Sequence, residues 1–146
     1  MNLLTAWQFW AFLAAIFAAL TAIFAKVGIE AIDSDLATFV RTIVILVVLA
    51  IILITTGKLQ IASVLSLSRR SLLFLIFSGM ATGASWLCYF RALKMGDASQ
   101  VAPIDKLSVV LVAIFGALFL GEQLPMLGWL GVTLIGTGAV LVAVSK

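Results

Sequence analysis

Asp105 and Lys106 stand side by side in QVAPIDKLSVVL, residues 100–111, at the mouth of an apolar run that continues to Leu120. An acid and a base set into such a run are suited to a gate or a coupling site built of ion pairs, the chemistry that moves ions or protons through an apolar layer. Only fourteen residues separate Leu107 from Leu120 inclusive. As a helix they rise roughly 21 Å, short of a hydrocarbon core of about 30 Å. A spanning helix must therefore begin near Val101, with Pro103 in its first turn and Asp105 and Lys106 below the surface. The lysine can extend toward the headgroups, whereas the short aspartate cannot. Neighbours on a helix point about 100° apart, so each of the two is expected to take its partner from another helix.

Alternate crossings place the possible partners on one side of the membrane, which holds Lys26, Arg41, Arg91, Lys94 and Lys106 with Glu30, Asp33, Asp35, Asp97 and Asp105. Lys58, Arg69, Arg70 and Glu122 fall on the other. Arg41, Arg91 and Asp105 lie inside apolar runs. The gate or coupling candidates are thus Asp105, Lys106, Arg91, Arg41 and Lys26. The competing reading for the three latter cations is extension to the headgroups. Nearer the middle of the third run are Ser78, Ser85, Trp86 and Tyr89. Trp86 and Tyr89 share a helix face. They either line a solute cavity, where an indole can stack on a planar or cationic solute, or pack the core. Trp7, Trp10 and Trp129 lie near run ends and read as interfacial anchors.

The elements that must position these groups follow from composition. The 146 residues are 64% hydrophobic and 10% charged, which marks an integral membrane protein. With no histidine and one cysteine, neither an intrachain disulfide nor a His/Cys metal cluster can form. Cys88 reads as a buried, reduced thiol. A formal charge of +3, scattered along the chain, does not suit a nucleic-acid partner. No catalytic triad, phosphate-binding glycine loop or metal spacing is present, so the chain reads as neither an enzyme nor a cofactor protein. The N-terminal run has no basic residue ahead of it and is long enough to span, unlike a cleaved signal.

Five runs are long enough to cross a bilayer as helices, at about 7–27, 36–56, 72–92, 101–120 and 126–144, within a single domain over residues 1–146. Helices are required because lipid offers the backbone no hydrogen-bond partner. Ser34 or Asp35 can cap the second helix, Gly96 can end the third with Asp97 or Ser99 starting the next, and Pro125 suits the first turn of the fifth. Ile61, Val64 and Leu65, in the linker 57–71, suit a short helix in the headgroup plane, and a plain polar loop is equally open. Gly79 and Gly83 form a small-xxx-small pattern for close helix contact, a spacing repeated by Ala113, Ala117 and Gly121.

The stretches AALTAIFAKVGIE, SGMATGASWLCYFRALKMGDASQVAPIDKLSVVL and GALFLGEQLPMLGWLGVTLIGTGAVLVA resemble the EamA-type repeat of the drug/metabolite transporter superfamily. The most specific parts are YFRAL…GDAS.VAP and FLGE followed by GWLGVTLIGTGAVLV. The resemblance implies one half of a ten-helix inverted-repeat fold and a secondary transporter or exporter of small metabolites or drugs. Fold-related four-helix exporters carry an acid in their first helix, where this chain reads Ala18-Ala19-Leu20-Thr21. Asp105 is the embedded acid that remains, and Glu122 fills the position of the family's GE pair.

A single repeat points to a half-size transporter in the cell membrane, with the bilayer, a small solute and a second copy of itself as partners. Because inverted repeats run in opposite directions, the copy must be antiparallel. Outside the spans, Lys26, Lys94 and Lys146 balance Lys58, Arg69 and Arg70, which gives no strong orientation. Adding Arg41, Arg91 and Lys106 makes the balance six against three. The alternative is a non-transporting membrane subunit, or the partner of a lipid-carrier flippase, that needs a second protein.

Overall fold

A computed structural model describes residues 6–60 and 66–145. Ile61, Val64 and Leu65, on which the expected surface helix rests, lie outside them. The helices are α1 (Trp7–Gly28), α2 (Ser34–Thr55), α3 (Arg69–Met95), α4 (Ala98–Asp105), α5 (Ser108–Phe115) and α6 (Met126–Val144). A π-helical turn, Gly116–Leu120, continues α5. With it, α4 and α5 form one span, Ala98–Leu120, so that five segments are long and apolar enough to cross a membrane. Among the described residues there is no strand. The chain divides into two compact units, one of Gly28–Lys94 and the other of the residues on either side of it.

In the first unit, α2 starts at Asp33 rather than at Ser34 or Asp35. Asp33 is extended (φ −65°, ψ 138°), and its Oδ1 accepts from the amides of Asp35 (2.9 Å) and Leu36 (3.0 Å). Those amides have no partner within the helix, so the residue just before the first turn is the one placed to cap them. The Thr38 and Thr42 hydroxyls donate one turn back, to the carbonyls of Ser34 and Thr38. This local bonding lets hydroxyls stand in an apolar helix without a distant partner. Burial is confined to the end of the unit where α2 begins and α3 ends: Ile29, Ala37, Thr38, Phe90 and Leu93. All described residues from 51 to 82 are exposed. Apolar residues left in the open this way are what a bilayer covers. Cys88 is exposed too, not buried as expected, because a spanning helix presents much of its circumference to the membrane rather than to its own chain.

In the second unit, α4 packs along α6, and Gln100 Nε2 at the start of α4 donates to the Ser145 carbonyl beyond the end of α6 (3.0 Å). Pro103 lies inside α4 rather than in its first turn, since the helix begins at Ala98. A proline there donates no amide and crowds the carbonyl one turn back. The helix stops two residues later. Lys106 turns with ψ −6°, and the Leu107 amide bonds the Ile104 carbonyl at 3.0 Å in a tighter turn. The fourth span is therefore broken just below its mouth.

The span's other end is shaped by two glycines. Gly121 is left-handed (φ 69°), a conformation that glycine adopts without a Cβ clash. It lets the Glu122 amide return to the Gly116 carbonyl (3.1 Å), closing the helix as left-handed glycine caps do. The Glu122 carboxylate lies against Gly116, where a Cβ would stand 2.8 Å from Oε2. Gly121 serves this turn; among the described residues no atom of another element lies within 4 Å of its Cβ direction, as at Gly79 and Gly83.

Candidate functional site

The charged groups of the first unit gather where α2 begins and α3 ends. Arg91 donates from Nε to Asp35 Oδ1 (2.9 Å) and from Nη2 to Asp35 Oδ2 (2.6 Å). Two parallel bonds fix the planar guanidinium against the carboxylate. Asp35 is in the first turn of α2, where a negative charge also suits the helix N-terminus. Lys94, in the last turn of α3, takes no acid. Its Nζ donates to the carbonyls of Ile29 (2.5 Å), Glu30 (3.0 Å) and Ile32 (2.9 Å). All three ammonium protons are thus spent on the connection between α1 and α2, which this lysine holds to α3.

One turn deeper, Arg41 Cζ lies 4.0 Å over the Trp86 ring and 5.4 Å from that of Phe90. These are cation–π distances. Trp86, Phe90 and Leu93 follow one another at helical spacing on α3, and Ala37, Thr38 and Arg41 do so on α2. Tyr89 is half-buried and meets Phe90 edge to face, with ring centroids 6.4 Å apart. Ser85 and Ser78 are exposed, on the α3 stretch where the chain packs least.

In the second unit, Lys106 Nζ lies 3.1 Å from Asp105 Oδ2. The expectation that adjacent residues diverge, and so do not pair, is corrected by this contact: the reach of the lysine side chain outweighs the offset. Lys106 keeps helical dihedrals and its amide still reaches the Ala102 carbonyl, so the two side chains leave the backbone apart and the long lysine folds back to the carboxylate. Lys26, in the last turn of α1, donates to the Gly96 carbonyl at 2.8 Å.

Of the expected candidates, then, Asp105 and Lys106 meet each other, Arg41 meets Trp86, and Arg91 meets a residue not placed in the site, Asp35. The signal for Asp35 was available: it lies on the same expected side of the membrane as Arg91, at a matching depth from the helix end. Lys94 and Phe90 were also not singled out. No spacing rule marks a lysine that will bind carbonyls of a loop 65 residues away.

Five spanning helices with charge held inside two of their apolar faces define an all-α, multi-pass integral membrane protein. Residues 5–144 match the EamA-like transporter family, and the chain belongs to it. Over 138 residues it is 62% identical to an "Uncharacterized transporter in cobO 3′region" from Sinorhizobium sp, a match covering 94% of this chain and 96% of that protein. No solved structure matches the chain. The bilayer and a small-molecule solute are the partners that membership in this transporter family entails.

Proposed function

We propose that the chain is a half-size secondary transporter, an exporter of small metabolites or drugs, working as an antiparallel homodimer in the cell membrane. The observation that carries the reading is how much of a named transporter one repeat covers. The family match takes up almost this whole sequence, and the Sinorhizobium transporter is covered to 96% by the same stretch. On this reading one repeat makes up nearly the whole of that relative. Five helices enclose little, and an inverted-repeat transporter sets its site between two oppositely directed halves. The open glycine face at Gly79 and Gly83 suits close approach of a second copy. Asp105 serves as the coupling acid, with Lys106 as its resting counter-ion. Arg91 with Asp35 braces the first unit, and Lys26 with Gly96 the second. Trp86, Tyr89, Ser85 and Ser78 face the solute path.

Reporter fusions at the C-terminus test the assembly. A phosphatase active only outside and a fluorescent protein active only inside should both give signal, and one added lysine at either end should shift the ratio. Signal from a single reporter would overturn the antiparallel homodimer and favour a subunit that needs a different partner. Flux of a solute panel into proteoliposomes of the purified protein tests transport itself.

A further inference from the structure

We infer that Arg41 binds an oxoanion, the carboxylate or phosphate of the carried solute, beside Trp86. This rests on the transport reading above and names the substrate class. Arg41 is the eighth residue of α2, roughly 10 Å along the helix from its start. A guanidinium keeps its charge there, since it does not deprotonate in proteins. The other cations at this end of the unit are satisfied: Arg91 by both oxygens of Asp35, and Lys94 by three carbonyls. Two of the unit's three acids are committed as well, Asp35 to Arg91 and Asp33 to the α2 amides. Arg41 has its two ring contacts and an electrostatic interaction with Tyr89, with no hydrogen bond or ion pair to a carboxylate or carbonyl among the described residues.

Its position on the ring decides the sign of the ligand. With Cζ 4.0 Å over Trp86, the guanidinium occupies the indole face that a cationic solute would need, and repels such a solute. The N–H donors remain, arranged in the fork that matches a carboxylate or phosphate. The half-buried Trp86 ring adds an apolar, aromatic wall. The fitting solute is therefore an anion with a flat or apolar portion. A lipid headgroup could offer the same phosphate, so the test must separate the two sources.

The full chain carrying Trp7→Phe, Trp10→Phe and Trp129→Phe keeps Trp86 as its sole tryptophan. In phosphatidylcholine nanodiscs its emission is titrated with benzoate, inorganic phosphate and neutral benzamide. The expected result is a saturable change with benzoate or phosphate and none with benzamide. Arg41→Gln should abolish it, and Arg41→Lys should weaken apparent affinity about tenfold by losing the fork. Equal responses to benzamide and benzoate, no saturable response to either anion, or an unchanged response in Arg41→Gln would each overturn the inference. If Arg41→Gln does not fold, the benzoate–benzamide contrast on the intact arginine still decides.

A second arm uses phosphatidylglycerol nanodiscs without solute. An Arg41-dependent emission shift there, with no benzoate response in phosphatidylcholine, assigns the site to headgroups and overturns the substrate reading. Saturable benzoate binding without flux of any solute would sink the transport reading but leave the anion site. Flux of a cationic solute undiminished by Arg41→Gln would sink the anion site but leave transport.

Discussion

The ion pair of the first unit and that of the second are built in opposite ways. Asp35 and Arg91 stand 56 positions apart and meet through two bonds, joining α2 to α3. Asp105 and Lys106 are adjacent and meet at 3.1 Å across a helix break. The first pair exists only while two helices keep their relation, so it reports and holds tertiary structure. The second needs one local turn and survives any motion of the helices around it. A carboxylate whose counter-ion among the described residues is its flexible neighbour can change partner without moving a helix. That is a suitable property for a coupling acid and an unsuitable one for a structural brace.

The sharpest way to break this contrast is Asp105→Asn. It should leave helix content and thermal unfolding unchanged, since no inter-helix contact is lost, and abolish or uncouple transport in proteoliposomes. Normal flux across about pH 5 to 8 would remove Asp105 from the coupling role. The next largest effect should come from charge reversal in the brace. Asp35→Arg or Arg91→Asp alone sets like charges together and should lower the thermal midpoint and the folded yield. The double exchange should recover much of both, whereas reversal of Lys106 to Glu should change neither. Equal sensitivity at the two pairs would erase the distinction.

If the fourth span is secured by its far turn and not by Asp105–Lys106, Gly121→Val should cost about 1–2 kcal/mol of stability, the price of a side chain in left-handed backbone, as read by chemical or thermal unfolding. Trp86→Leu removes the ring under Arg41 and should cost about 0.5–2 kcal/mol, less than it lowers solute affinity. A stability loss with unchanged affinity would make Trp86 a packing residue alone. The smallest effect is expected for Lys106→Gln, which leaves a polar side chain beside Asp105. Its unfolding should match the parent, with a change confined to the pH profile of transport.

The spans were legible because their signal is a long average. About twenty apolar residues in succession specify a spanning helix whatever their order, and the family resemblance rests on local strings such as GDAS.VAP. Single residues at boundaries were less legible. Asp33, Ser34 and Asp35 are all competent caps, and only the backbone conformation chooses Asp33. Pro103 was placed in a first turn because hydropathy starts the span at Val101, while the polar residues Ser99 and Gln100 in fact belong to the helix. That shift of three residues put the proline inside α4 and the break at Lys106.

The sequence by itself determined the membrane, the number of crossings and the side on which most charge collects. These depend on totals of apolar length and on crossing parity, which no packing arrangement alters. Only the tertiary structure decided which charge meets which. Arg91 had five acids to choose among on its side of the membrane, and Arg41 the same five. The helix faces give Asp35 to Arg91 and the Trp86 ring to Arg41. Charge attraction is non-specific over a few ångströms, and the rotation of one helix against another sets the distances on which the pairing depends.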